Sequence, residues 1–374
     1  MNRYDLDAMS SYEASADREN PAFAPAVEEI AAQSVVPTNT VQTTWPLIPW
    51  ARGPLSSAVI AALQREPGTL GVTPDIVVAD ALTDDDFQLA LYLCYEVHYR
   101  DLTGSDWEWD VGLLALRAQL EDIFEERLRE EIALRHPLGH FDVSTAIDQL
   151  IFTAKGPSLP AYFNQRGTLD QLRELCVHRS ASHLREADPH AFAIPRLTGE
   201  AKAAMVEIQY DRRSTGDAAR THSTLYGATM TALGLDSSYG SYVEMLPGVT
   251  LATVNLVSMF ALHRKWRAAL VGQLAVTEMT SVGPMERYSR ALERFGIGPE
   301  GCRFYDAHVD IDSHHAHIAR DRMVTGLLSE EPDLGVDILF GAAAALLLEE
   351  NFAHHVLSAW ELNESSLVPW EINT

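Results

Sequence analysis

The sequence of 374 residues predicts an all-α protein. Many stretches place apolar residues three or four positions apart, which is the spacing of one helix face. The clearest stretch runs from Trp107 to Ile132 and carries Leu113, Leu116, Leu120, Phe124 and Leu128. Glycine and proline separate many of these stretches, and none shows the apolar–polar alternation that is typical of a half-buried strand. The pattern therefore predicts helices joined by turns, without a sheet.

The chain divides into three parts. Residues 1–45 are polar and lack sustained periodicity, which predicts a disordered, mobile tail. Residues 46–140 are predicted to form an N-terminal helical region, in which acidic residues from Asp84 onward favour a helix N-terminus. Residues 141–374 are predicted to form a second helical domain. Its helices are expected at about 142–154, 160–178, 197–210, 217–233, 248–263, 266–281, 285–295, 303–325 and 334–361.

Composition excludes several classes of protein. The 53 acidic and 28 basic residues give a net charge of −25, which would repel the phosphates of a nucleic acid. Cys94, Cys176 and Cys302 are far apart and form no CxxC pair, as is typical of a reducing compartment. The longest fully apolar run, residues 338–348, is too short to cross a bilayer, and the N-terminus has no apolar signal core. We therefore expect a cytoplasmic protein without nucleic-acid or membrane partners.

A stripe of polar side chains near the C-terminus provides the first candidate functional residues. His308, Asp312 and His315 stand at positions i, i+4 and i+7, so a helix would place them on one face. Two imidazoles and a carboxylate can bind a metal, and this mixture suits iron or manganese better than a structural zinc. The alternative is a solvated polar face, because more histidines and aspartates lie close by.

Three further polar residues lie in predicted helical segments. Glu278 follows nearly three apolar turns, His222 lies in a segment with little other charge, and Glu186 lies near a helix end. Helix bundles build carboxylate–histidine metal sites from such side chains on facing helices. Isolated buried polar residues are nevertheless more often hydrogen-bonded structural groups, and Glu186 could lie on the surface.

Together these residues resemble a known family, the non-heme diiron oxidases and oxygenases of the heme-oxygenase-like fold. The family's motif His-x3-Asp-x2-His is matched by His308, Asp312 and His315, its earlier histidine by His222, and its preceding glutamate by Glu278. The resemblance implies that these five residues bind iron.

Longer stretches resemble an actinobacterial branch of this family, the iron-containing redox enzymes. They include Glu186-Ala-Asp-Pro-His and His263-Arg-Lys-Trp-Arg, and the resemblance covers about residues 50–365. It implies a heme-oxygenase-like helical bundle with an N-terminal helical extension, in which residues 141–374 form the metal-binding domain. N-oxygenases of the family use an additional glutamate upstream of the first histidine. Glu186 falls at that place and is expected as an accessory metal ligand and catalytic residue.

One departure from the family concerns the residue expected to ligate the first iron. The branch commonly has Asp-Glu-Tyr-Gly where this chain has Asp211-Arg-Arg-Ser-Thr-Gly, so Arg212 replaces a glutamate. Arginine stays protonated and cannot ligate a metal. In one alternative Asp211, Asp217 or Glu207 substitutes, and Asp211 is included among the expected metal ligands. In another the first iron site is weak or only one metal binds. In the third Arg212 is a catalytic-site cation that holds an anionic substrate or replaces a metal.

The function implied by the resemblance is that of a non-heme iron oxygenase of specialised metabolism. Two iron ions per chain would cycle between Fe(II) and Fe(III), with O₂ as co-substrate. A small amine or amino-acid-like molecule would be N-oxygenated, and an external donor could supply electrons. Alternatives are desaturation, C–C cleavage or decarboxylation of a small acid or amino acid at the same site, and a metal-poor, non-catalytic homologue because of Arg212. The resemblance also implies a homodimer formed through the N-terminal region.

Overall fold

The structure is a computed structural model that describes residues 48–71, 74–103, 106–135, 142–154, 156–213 and 216–369. Every regular element in these residues is a helix, so the all-α prediction is confirmed for them. The predicted tail at residues 1–45 and the boundary predicted between residues 140 and 141 lie outside the described residues. Within the described part of the chain, no helix combines the length and apolar character needed to cross a membrane.

The α-helices follow one another along the chain with short connections. The N-terminal region contains α1 (Pro54–Leu63), α2 (Asp85–Glu96) and α3 (Val111–Arg135). The later helices are α4 (Val143–Thr153), α5 (Leu159–Gln165), α6 (Leu169–His183), α7 (Asp188–Ala191), α8 (Gly199–Arg212), α9 (His222–Ala232), α10 (Gly248–Leu262), α11 (Arg267–Arg294), α12 (Pro299–His317), α13 (Thr325–Glu330) and α14 (Gly335–Glu361).

The N-terminal region shares the core of the rest of the molecule. Asp84 starts α2 by accepting a hydrogen bond from the backbone N–H of Phe87 at 2.8 Å. Helix α2 then packs against α1, α3 and the distant α10, and most of its side chains are buried. The described part of the N-terminal region is therefore joined to the larger domain by direct packing. The homodimer expected through this region stays a prediction.

Helix α11 is the central element of the larger domain. It packs along α12 and α14 and also contacts α5 and α10. Two glycines allow α11 and α14 to approach closely, since a Cβ at Gly272 would overlap the carbonyl of Ile338, and one at Gly341 would overlap the carbonyl of Ala269. The close contact fixes α11 firmly in the interior, where it carries Glu278.

Helix α11 also corrects one boundary predicted from the sequence. Two helices were expected, at 266–281 and 285–295, but a single helix continues through Pro284. A proline inside a helix removes one backbone hydrogen bond and costs about 3 kcal/mol. Packing of the flanking turns against α12 and α14 offsets that cost, and sequence punctuation does not report such packing.

The opposite correction applies to the helix expected at 160–178. It is divided into α5 and α6, because Thr168 begins a new helix there. The Thr168 side chain accepts from the backbone N–H of Gln171, and the Gln171 side chain accepts from the backbone N–H of Thr168. This capping box satisfies two backbone donors that would otherwise lack partners.

A π-helical segment, Ile318–Val324, follows α12 directly and packs against α8. Insertions of this kind are frequent at functional sites because they shift the register of side chains along a helix. The π-helical segment begins three residues after His315, the last residue of the polar stripe.

Candidate metal centre

The polar stripe predicted on α12 points into the interior. His308, Asp312 and His315 are all buried, which contradicts the alternative of a solvated face. The helix is continuous from Pro299 to His317, so the i, i+4, i+7 spacing keeps these residues on one side. The stripe faces α11, which packs along α12.

Four other segments complete the site. Glu278 lies on the buried face of α11, and Glu186 lies in the turn after α6. His222 is the first residue of α9, whose start is fixed by Thr221 as the N-cap. Arg212 is the last residue of α8 and is also buried. The structure thus brings together residues that are spread over about 130 positions of the sequence.

The first cluster, called here the Glu186 group, contains Glu186, His222 and His308. One possible ligand atom from each residue lies within 4.8 Å of the other two. Nε2 of His308 is 3.4 Å from Oε1 of Glu186, and Nδ1 of His222 is 3.5 Å from Oε2. Nδ1 of His308 is 2.7 Å from the carbonyl oxygen of Phe304, to which it donates when protonated. That bond fixes the ring and leaves Nε2 directed at the carboxylate.

The second cluster, called here the Glu278 group, contains Glu278, Asp312 and His315. Its possible ligand atoms also lie within 4.8 Å of one another. Nδ1 of His315 is 3.5 Å from Oε2 of Glu278 and 3.8 Å from Oδ1 of Asp312. All three side chains are almost fully buried, so two carboxyl groups face each other in an interior that strongly disfavours uncompensated charge.

Arg212 provides positive charge at this place. Its Nη2 donates to Oε1 of Glu278 at 2.6 Å and lies 3.5 Å from Oε1 of Glu186. The departure from the family pattern is therefore located inside the site, between the two groups. Its guanidinium compensates carboxylate charge, as a metal ion would.

Asp211, which the sequence suggested as a metal ligand, lies outside both groups. Its Oδ2 is 3.1 Å from Nε2 of His315, so that its carboxylate can accept a hydrogen bond from this ring nitrogen. The opposite nitrogen, Nδ1, is the one that faces Glu278 and Asp312. The structure thus places Asp211 where it orients His315.

Two histidines that sequence reasoning did not select also lie beside Glu186. Nδ1 of His183 is 4.0 Å from Oε2 of Glu186, and Nε2 of His190 is 2.9 Å from Oε1 of Gln273. Burial lowers the pKa of His183 to about 3 and that of His190 to about 4, so both rings are neutral near pH 7. His190 belongs to the quoted stretch Glu186-Ala-Asp-Pro-His, which was the available signal.

The Glu186 group carries a strong internal charge pairing. Burial alone would raise the pKa of Glu186, but the charges of Arg212, His308 and His222 outweigh burial and hold it well below its ordinary value. Burial would lower the pKa of His308, but Glu186 outweighs that effect and raises it to about 9. Without a metal, a proton on His308 therefore neutralises Glu186, and metal binding would replace this proton.

Buried atoms without hydrogen-bond partners test whether a metal fits. They include Oε2 of Glu186, both ring nitrogens of His222, Oδ2 of Asp312 and Nδ1 of His315. Buried polar atoms are nearly always paired, so such a concentration indicates a missing ligand. The Glu186 group fits a cation well. The Glu278 group fits less well, because one oxygen of Glu278 already accepts from Arg212.

Comparison with known proteins identifies the domain that contains this centre. The family model of the iron-containing redox enzymes matches residues 173–350, a range that includes both groups and Arg212. The matched residues make up just under half of the chain. The iron-containing redox enzymes are oxidoreductases, and the match agrees with the heme-oxygenase-like class predicted for these residues.

Individual relatives are distant. Nitrosourea synthase from Streptomyces achromogenes subsp. streptozoticus is 24% identical over 157 residues, which is 42% of this chain and 33% of that protein. The aligned part thus spans about a third of the relative's length. A solved domain of unknown function with a heme oxygenase-like fold, from Shewanella denitrificans OS217, is also similar. It is 13% identical with a TM-score of 0.45, covering 62% of this chain and 100% of that one.

Proposed function

We propose that this chain is a non-heme iron oxygenase that oxidises the nitrogen of a small amine or amino-acid-like substrate with O₂. The observation that carries the proposal is the Glu186 group, where a carboxylate and two imidazoles converge and leave buried atoms unpaired. Two histidines and one carboxylate are the ligand set of many non-heme iron oxygenases. Iron bound there would supply the activation of O₂.

The residues of this chain have distinct parts in such a reaction. Glu186, His222 and His308 would hold the iron, and the carbonyl of Phe304 fixes the orientation of His308. The neutral ring of His183 lies 4.0 Å from the Glu186 carboxylate, and Nδ1 of His190 lies 3.4 Å from the backbone carbonyl oxygen of Glu186. Burial of the Glu278 group and of Arg212 keeps bulk water from this side of the centre.

The choice of nitrogen as the oxidised atom is supported by the relative named nitrosourea synthase. A nitrosourea carries an oxidised nitrogen, so an enzyme that makes one needs an N-oxidising step. For a primary amine, one atom of O₂ would enter a new N–O bond and the other would leave as water. The balance requires two electrons and two protons, which we assign to an external donor.

The test uses the metal-free protein loaded with Fe(II) under argon. We would add a panel of amines, amino acids and ureas with a chemical reductant, admit ¹⁸O₂, and analyse products by mass spectrometry. The proposal expects a product that is heavier than its substrate by one labelled oxygen attached to nitrogen. A product that loses two hydrogens, or a carbon fragment, without label would indicate the alternative desaturation or cleavage chemistry.

A pair of histidine variants separates specific from general effects. His308→Ala removes a proposed ligand and should abolish both iron retention and label incorporation. His317→Ala, on the same helix but 80% exposed, should keep both. Failure of the wild-type chain to retain iron or to incorporate label would contradict the proposal. The result would then favour the alternative of a non-catalytic homologue. The observation that supports this alternative is the guanidinium of Arg212 inside the site.

A further inference from the structure

The position of Arg212 gives the two groups different charge states. Its guanidinium is only 4% exposed and donates from Nη2 to Glu278 at 2.6 Å. Withdrawal of this side chain would leave a buried carboxylate unpaired, and such a loss is strongly unfavourable. The Glu278 group therefore already contains a permanent, hydrogen-bonded positive charge.

A metal ion at the Glu278 group would have to compete with this charge. It would need the Glu278 carboxylate that Arg212 already occupies, and it would place further positive charge beside a guanidinium in a poorly polarisable interior. Arg212 competes less strongly at the Glu186 group, because it lies 3.5 Å from Oε1 of Glu186 without donating a hydrogen bond to it. Oε2 of Glu186 and both ring nitrogens of His222 have no hydrogen-bond partner.

The nearby carboxylates do not supply a replacement ligand. Glu207 points away to a partly exposed pair with Arg322, and Asp217 caps a short turn by accepting from the backbone N–H of Ala219. Asp211 lies 3.1 Å from the far nitrogen of His315. Glu207 and Asp217 are thus engaged elsewhere, and Asp211 contacts the nitrogen of His315 that faces away from Glu278 and Asp312.

We infer that Arg212 serves as the second cation of this centre, and that the chain binds a single metal ion at Glu186, His222 and His308. The inference departs from the two irons expected from the sequence. It rests on the proposed function for the identity of the metal, iron, but not for the number of ions. A centre of this composition keeps open coordination positions beside a fixed guanidinium.

The test is a titration of the full chain, stripped of metal by chelation, with Co(II). This probe ion can be handled in air. Calorimetry and metal analysis after gel filtration would give the number of ions per chain. The wild type is expected to bind about one Co(II), in line with a single three-residue ligand set. His222→Ala should abolish that binding, whereas Glu278→Gln should retain it.

Arg212→Glu provides a gain-of-function variant. It removes the competing cation and adds a carboxylate beside Glu278, so about two Co(II) per chain should bind. Arg213→Glu makes the same charge change on a 49% exposed neighbour and should still bind about one ion. If Arg212→Glu lost its helical circular dichroism signal and so failed to fold, the comparison of His222→Ala with Glu278→Gln would still show which group binds the ion.

Two ions in the wild type, or no ion, would overturn the inference. Loss of the single ion in Glu278→Gln but not in His222→Ala would overturn it as well. The proposed function fails separately. One bound ion without oxygen transfer in the iron-loaded protein would support the single-ion inference and reject the proposed oxygenase function. Two bound ions with oxygen transfer would reject the single-ion inference and support the oxygenase function.

Discussion

Arg185–Glu96 and Arg212–Glu278 are both buried arginine–glutamate pairs, but their surroundings differ. Nη1 of Arg185 donates to Glu96 at 3.0 Å, and Tyr239 donates to the same oxygen at 2.9 Å. Nη2 of Arg185 reaches Ser258 at 3.4 Å, and its guanidinium lies 4.2 Å above the ring of Tyr99. Both terminal nitrogens of this arginine therefore have partners, in a setting of hydroxyl groups and aromatic rings.

The Arg212 pair lies among side chains that could hold a metal ion. Nη1 of Arg212 has no hydrogen-bond partner, and unpaired atoms of Asp312 and His315 lie in the same cluster. The difference shows that the role of a buried ion pair depends on the groups around it. Glu96 belongs to α2 and Arg185 follows α6, so that pair joins the N-terminal region to the larger domain. The Arg212 pair instead lies inside the candidate metal centre.

The largest change in the free energy of unfolding is expected from breaking the Arg185–Glu96 pair. Arg185→Leu leaves Glu96 buried without its partner, which should lower the free energy of unfolding by about 3–5 kcal/mol. Urea denaturation followed by circular dichroism measures this loss. Arg100→Leu, at a 44% exposed position beside the same network, should cost less than about 1 kcal/mol. Equal losses in both variants would show that the enclosed network has no special role.

These pairs also show how far the sequence leads. The stripe of His308, Asp312 and His315 could be predicted, because helix geometry alone fixes which residues three and four apart share a face. Arg185 and Glu96 are 89 positions apart, and only the packing of α2 against the larger domain brings them into contact. No periodic pattern encodes such a contact.

Arg212 marks the boundary between what could and could not be predicted at the site. Its chemistry shows from sequence alone that it cannot ligate a metal. Its bond to Glu278, 66 positions away, depends on how α8 and α11 approach each other. In the same way, the continuity of α11 through Pro284 depends on its neighbours rather than on its own residues.

The next largest effect is expected in the pH dependence of the free energy of unfolding, to which the Arg212–Glu278 pair contributes. Burial would raise the pKa of Glu278, but Arg212 and His315 outweigh it and lower the pKa to about 2. Because the unfolded value is higher, about 4.3, the charged carboxylate stabilises the fold above that pH and loses its effect as the pH falls towards 2. The wild type should lose up to about 3 kcal/mol from this group across that window.

Unfolding of the metal-free protein in urea at several pH values below about 5 measures this slope. Glu278→Gln should show a shallower acid loss than the wild type. Glu286→Gln, at a half-exposed glutamate further along α11, should leave the slope unchanged. Parallel pH profiles for wild type and Glu278→Gln would contradict the pairing of Glu278 with Arg212.

A smaller effect concerns rescue by metal. Arg212→Ala removes the guanidinium beside Glu278 and Asp312, so a divalent ion should stabilise this variant more than it stabilises the wild type. The additional gain should be about 2–3 kcal/mol at a Co(II) concentration near 100 times the dissociation constant. Arg185→Leu should gain no more than the wild type, because neither Arg185 nor Glu96 belongs to either possible ligand set. Equal metal-induced gains in all three proteins would remove the distinction between the pairs.

The smallest effect should come from an arginine–glutamate pair on the surface. Arg290 and Glu286 form a pair one turn apart on α11, with side chains 61% and 50% exposed. Water already solvates both charges, so a double-mutant cycle with alanine should give a coupling of about 0.3–0.5 kcal/mol. Near 1 M NaCl, where the Debye length is about 3 Å, the coupling should vanish.

This surface pair isolates burial as the variable, because the same two residue types interact at all three places. A coupling of several kcal/mol at Arg290–Glu286 would mean that the residue types alone determine the energy. The large losses expected for Arg185→Leu would then say nothing about enclosure. A weak, salt-sensitive coupling instead assigns those losses to the interior, where an unpaired Glu96 or Glu278 cannot turn to water.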